Sequence, residues 1–226
     1  ASGKPVILVL LSGSALAVGW AAEHVPAIVQ GWYPGAQGGR AVARVLFGDK
    51  NPEGRLPVTF YRTTEELPDF TDYSMEGRTY RYMRTEALYP FGYGLSYTSF
   101  AYEDVSLSSA VVGAEGITVK AVVANTGDRD GTETVQAYVK AGRDGTPNAQ
   151  LKGIRKVFLH AGERKEISIF LPADAFALYD EQGINRVEAG SYHVYVGGAQ
   201  PDERSEKLTG QKVLSVAAEV KESFTL

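Results

Sequence analysis

The chain has 226 residues, of which 44% are apolar and 22% charged, with a formal net charge of −4 and no cysteine. This is the composition of a globular protein with room for one large or two ordinary domains. It excludes disulfides and thiolate metal sites, a basic face for nucleic acid and the run of ~20 apolar residues that a membrane-spanning helix needs. His24, His160 and His193 stand far apart with no His or Cys at ligand spacing, so no metal site is expected. No basic stretch followed by an apolar one opens the chain, and no signal peptide is read there.

Composition divides the chain in two. Residues 1–102 hold nine basic and nine acidic side chains, nine of the thirteen tyrosines and both tryptophans. Residues 103–226 hold fourteen basic and eighteen acidic ones. In the first part, Pro5 to Leu11 is continuously apolar and ends at Ser12-Gly13-Ser14, as a strand in the middle of a helix-covered parallel sheet does. Ala27 to Trp32 reads as a second strand, closed by Tyr33-Pro34-Gly35. Ala41, Val42, Val45 and Leu46 then recur at helical spacing before Gly48. Strand, connection, strand and helix make an α/β pattern. Two strands cannot cover both faces of a buried parallel sheet, so this unit reads as an incomplete one whose other strands lie upstream or in another chain.

Residues 49–100 show little periodicity. A stretch this long without regular structure is expected to be functional or draped over a partner surface. It ends in Tyr89 to Thr98, which packs four aromatics and two glycines into ten residues. Glycines between aromatics let the backbone lie against another surface while the rings plug into it. From Tyr102 the pattern becomes alternation. Ile117 to Val123 runs into a turn at Asn125-Thr126-Gly127-Asp128. Thr134–Val139, Leu151–Leu159, Lys165–Leu171, Phe176–Tyr179 and Gly190–Gly197 are further candidate strands. About seven short strands at such spacing point to a β-sandwich. Without a Cys…Trp…Cys set, a fibronectin-like version is favoured over an immunoglobulin one.

Five blocks, in order, resemble glycoside hydrolase family 3, the β-glucosidase and β-xylosidase family. They are Lys4–Ser14 with Trp20-Ala21 and Val25–Ile28, then Trp32–Gly39, Val45–Phe60, the aromatic run from Leu88, and Leu151–Val157 with Ala161-Gly162-Glu163. The resemblance covers nearly the whole chain. It implies an α/β plus all-β fold class. Residues 1–60 would be the C-terminal part of an α/β sandwich domain, 61–102 an aromatic-rich crossover on the catalytic module, and 103–226 a fibronectin type III-like β-sandwich. It also implies a retaining exo-acting β-glycosidase, in which one carboxylate attacks the anomeric carbon and a second protonates the leaving group.

In that family the nucleophile is an Asp of an N-terminal (β/α)8 barrel, and the acid/base is usually a Glu upstream of the block at Lys4. Neither motif is in this sequence, so no catalytic residue is assigned, and Glu23, Glu65, Glu66 and Glu76 are left out. The expected partners are the barrel, the rest of the α/β domain and an oligosaccharide. Neither nucleic acid nor a membrane is expected, and no cofactor is needed. The resemblance favours a periplasmic or secreted location. Gly77-Arg78-Thr79-Tyr80-Arg81-Tyr82 resembles the β-xylosidase branch more than the β-glucosidase one. Arg78, Tyr80, Arg81 and Tyr82 are therefore the candidate substrate-binding residues, since rings stack on sugars and arginine donates to hydroxyls. The competing reading is that they anchor the long segment against the barrel. Trp32 and Tyr33 follow a strand end, where α/β ligand sites lie. The alternative for them is burial in the core or at the domain interface. Two other roles compete for the sandwich. One is binding polymeric carbohydrate, for which no Trp and four Tyr are a poor supply of platforms. The other is bracing.

Overall fold

The computed structural model describes residues 3–180 and 182–226, so the first two residues of the expected 1–60 unit lie outside it. Strands β1 (Ile7–Leu10) and β2 (Ala27–Gln30) pair in parallel, with Ile7 opposite Ala27 and Leu10 opposite Gln30. Helix α1 (Gly19–His24) connects them and α2 (Gly38–Leu46) follows. The first strand is shorter than its apolar run because Pro5 has no N–H to donate and the paired partner ends at Gln30. In α2, Val42, Val45 and Leu46 turn inward and are half-buried, while Ala41 stays exposed.

Residues 47–99 contain only a 3-10 turn at Thr64–Glu66, the one-turn helix α3 (Thr79–Tyr82) and an isolated antiparallel bridge between Phe60 and Tyr89. The sandwich then begins with β3 (Phe100–Leu107), β4 (Ile117–Asn125), β5 (Gly131–Ala141), β6 (Gln150–Leu159) and β7 (Arg164–Leu171). Short strands β8 (Leu178–Tyr179) and β9 (Asn185–Val187) precede β10 (Gly190–Gly197), helix α4 (Glu203–Thr209), β11 (Leu214–Val220) and β12 (Phe224–Thr225). One sheet runs β11-β10-β5-β6, the opposing one β3-β4-β7, and β12-β9-β8 forms a small third sheet. Four strands facing three give the seven-stranded fibronectin-like sandwich.

Alternation explains the core. In β4 and β7 the register pairs Ile117 with Leu171, Val119 with Ile169 and Ala121 with Ile167, all buried, while Lys120 between them points out. Val135, Ala137 and Val139 of β5 and Tyr192, Val194 and Val196 of β10 meet them from the other sheet.

One expectation is corrected. Phe176–Tyr179 is not one strand, because Phe176 ends a 3-10 turn at Ala173–Phe176 and only Leu178–Tyr179 pairs. The turn expected after β4 carries the chain from one sheet to the other, since β4 pairs with β3 and β7 while β5 pairs with β6 and β10. Asn125 fixes this crossing between sheets. Its amide donates to the carbonyls of Arg129 (2.7 Å) and Leu159 (3.3 Å), and its oxygen accepts from the Thr98 hydroxyl (2.6 Å). At 1% exposure that side chain has no water to bond instead, so the connection is held.

Candidate functional site

The aromatic run lies on the outer face of β5. Gly92 has φ +78°, and a Cβ there would collide with the Gln136 amide and stand 2.6 Å from the Tyr138 hydroxyl. Only glycine lets the backbone come this close. The Gln136 amide donates to the carbonyls of Gly92 (3.0 Å) and Gly198 (2.7 Å), and Tyr138 donates to the Gln136 oxygen (2.6 Å). Thr134 of the same strand donates to the Glu53 carbonyl at 2.9 Å.

Beside this seam Arg55 and Glu133 form an ion pair at 2.6 Å with side chains 8% and 3% exposed. Tyr102 donates to the other oxygen of Glu133 at 2.6 Å. Burial, and then the negative charge of Glu133, push the Tyr102 hydroxyl far above its ordinary value, so it stays a neutral donor. Burial also pushes up the Tyr138 hydroxyl. These contacts rivet the crossover to the sandwich.

The four sequence-derived residues divide between bracing and open positions. The Arg78 guanidinium donates to the carbonyls of Asp69 and Asp72, both at 2.8 Å, and so closes the loop before α3. Tyr80 stacks on Phe91 with centroids 4.1 Å apart, meets Tyr138 edge-on, and accepts from the Leu151 N–H at 3.2 Å. Arg81 is exposed, with its guanidinium 5.9 Å from the centre of the Tyr80 ring, and Tyr82 is half-buried. Among the described residues neither the Arg81 guanidinium nor the Tyr82 hydroxyl has a hydrogen-bond partner. Trp32 is half-buried with its edge toward Phe60 and holds a positive φ of 51°. Tyr33 lies outside the core: in this chain it is 81% exposed, lying over Gly13, where a Cβ would stand 2.8 Å away.

A cavity of about 330 Å³ opens where the crossover meets the sandwich. Its walls include Thr59, Tyr80 and Arg84 from one side and Lys140, Tyr195 and Arg204 from the other. Asp202 sits at its rim as the cap of α4, accepting the Ser205 N–H at 2.6 Å. Desolvation raises its carboxyl above the ordinary range against that hydrogen bond. None of the β5 and β10 residues here was singled out from the sequence. Thr134, Gln136, Tyr138 and Lys140 fall on the polar phase of an alternating strand, which reads as solvent-facing unless another segment covers it.

Residues 1–97 match the family model described as the glycosyl hydrolase family 3 C-terminal domain, and residues 133–200 match the fibronectin type III-like domain. A xylan 1,4-β-xylosidase of Xylanibacter ruminicola is 44% identical over 92% of this chain, and a periplasmic β-glucosidase of Salmonella typhimurium is 38% identical over 87%. The chain spans 24% and 28% of their lengths. The solved β-glucosidase 3B from Thermotoga neapolitana superimposes with a TM-score of 0.85 at 34% identity, over 99% of this chain and 32% of that one. With both domain models, in order, on one chain that folds as described, the chain belongs to glycoside hydrolase family 3, of which it carries the end of the C-terminal α/β domain and the fibronectin type III-like domain.

Proposed function

We propose that this chain is the C-terminal part of a retaining, exo-acting β-glycosidase that removes terminal β-linked sugars from oligosaccharides, β-xylosides first and β-glucosides next. The observation that carries the reading is the 44% identity with the Xylanibacter xylosidase along 92% of the chain. The nucleophile and the acid/base are supplied by the barrel and the upstream part of the α/β domain. The chain's own contribution is to present a shaped surface to that module and hold it in place.

That surface is rich in uncovered rings. Trp20 is 70% exposed, Phe47 84%, Phe70 93% and Tyr73 91%. Asx turns at Asp69 and Asp72, closed by Arg78, fix the loop that carries Phe70 and Tyr73. Within the segment 78–82, Arg78 and Tyr80 hold the loop, while Arg81 and Tyr82 keep polar groups available to a sugar.

The test uses the intact protein. Aryl β-xylosides and β-glucosides are hydrolysed with the anomeric configuration of the first product followed by NMR. Retention with higher kcat/KM on the xyloside is expected, and inversion or no turnover sinks the reading. Arg81→Met should raise KM by about tenfold while leaving kcat within about twofold, the pattern of a lost binding contact. An unchanged KM removes Arg81 from the substrate site.

A further inference from the structure

Three cations, Arg84, Lys140 and Arg204, and three carboxylates, Glu86, Asp202 and Glu203, line the cavity between residues 80–87 and the outer face of β5 and β10, and the bracing role does not use all of them. Two of the carboxylates have cationic partners, Glu86 and Glu203, and the third, Asp202, accepts a backbone N–H. Glu86 is held by Arg62 at 2.7 Å and Lys207 at 3.2 Å, and Asp202 caps α4. Glu203 points into solvent with its side chain 91% exposed. Of the cations, Arg204 is shared with Glu86 at 3.6 Å and the Leu88 carbonyl at 3.1 Å. Arg84 and Lys140 have no carboxylate partner among the described residues, and both line the cavity. The wall therefore offers two cations without a carboxylate partner, beside one carboxylate, Asp202, without a cationic one.

Its neutral groups are equally uncommitted. Thr59 is 6% exposed, and its hydroxyl has no hydrogen-bond partner. Tyr195 is half-buried, with His193 beside it at 6.1 Å between ring centres, and its hydroxyl is free among the described residues. The Tyr195 ring, which lines the cavity, is a surface on which the apolar face of a pyranose can lie. The volume of about 330 Å³ is at the small end of the usual range for ligand sites, about 300–1,000 Å³.

We propose that this cavity binds a carboxylate-bearing monosaccharide, a uronic acid, with the carboxylate between Arg84 and Lys140 and the ring against Tyr195. The site is separate from hydrolysis: it would hold an acidic sugar of the substrate or its surroundings to the seam between crossover and sandwich. That the ligand is a sugar rests on the glycosidase reading, whereas its negative charge rests on Arg84 and Lys140 alone.

Calorimetric titration of the intact protein with sodium glucuronate tests this, with glucose and acetate as controls. Saturable glucuronate binding is expected, weakened about tenfold by Arg84→Met or by Lys140→Met, the scale of one charge-assisted hydrogen bond. Hydrolysis of an aryl β-xyloside should stay within about twofold in both variants, which also shows that they fold. No heat with glucuronate overturns the proposal, as does binding that both substitutions leave unchanged. Glucose binding as tightly shows that charge plays no part, and acetate binding as tightly shows a bare anion site; either overturns the proposal too. Absence of turnover in the unsubstituted protein would fell the glycosidase reading and leave the titration legible.

Discussion

The two ends of the chain spend apolar residues differently. From residue 3 to residue 58 only Ala21 and Gly38 are buried, although the strands there are mostly Ile, Leu and Val. From Phe100 onward a core of inward-facing residues closes between two sheets, with Val119, Val123, Val135, Leu159, Leu171, Val194 and Val196 fully enclosed. The sandwich closes because each of its sheets has the other to cover its apolar face. A parallel pair has no second layer of its own and depends on helices or a neighbouring domain. An apolar strand is therefore a promise of burial, not the burial itself.

The largest expected effect tests whether the rivet between the two ends matters as much as the core. Glu133→Ala leaves Arg55 without its partner at 8% exposure and should cost about 4 kcal/mol in urea unfolding of the intact protein. Replacing both residues by apolar ones of similar size should recover most of that loss. If the double variant is no better than the single one, the pair is not coupled. Phe176→Ala, at 1% exposure in the sandwich, should cost a similar amount, about 3–5 kcal/mol. Phe47→Ala should cost under about 0.5 kcal/mol in the isolated chain if that chain folds, because the ring is 84% exposed there. The same change should cost several times more in the intact protein, and equal costs in both would break the comparison.

Gly92→Ala combines a left-handed backbone with a collision at Gln136, and about 3 kcal/mol of destabilisation is expected. Tyr97→Ala should cost less, about 1–2 kcal/mol. That ring is 43% exposed, and its main tie is the hydroxyl donating to the Val45 carbonyl at 2.7 Å.

The smallest effect is electrostatic. The Asp202 carboxyl is raised by desolvation above its ordinary 3.8. Its stabilising contribution is full below that ordinary value and is lost as pH rises through the raised one. Asp202→Asn keeps a capping side chain and removes the pH dependence. Relative to wild type, the variant should be more stable at pH 7 than at pH 3, by under about 1 kcal/mol. A difference that does not change with pH would show that Asp202 titrates as an exposed carboxyl.

Local pattern made much of this protein legible. Period-two alternation from Ile117 onward placed the inward residues of β4, β5, β7 and β10, because side-chain direction follows from the backbone alone. The glycines at 92 and 94 announced a close approach for the same local reason. The sequence passed over β3, β11 and α4, whose apolar residues are sparse and become strand or helix only beside partners already in place. The pairing of β5 with β10 across more than fifty residues was out of reach, as was the crossing after Asn125, fixed by a buried amide. So was the meeting of Arg55 with Glu133 across seventy-eight.

By itself, then, the sequence determined the strand phases, the turn positions and, through its ordered blocks, the family. Only the tertiary structure decided which polar residues act together. Arg84 and Lys140 are fifty-six positions apart in the chain and share a cavity wall because the crossover folds back over β5. Electrostatics and hydrogen bonding act through space, and the sequence encodes that space only after the sheets have closed.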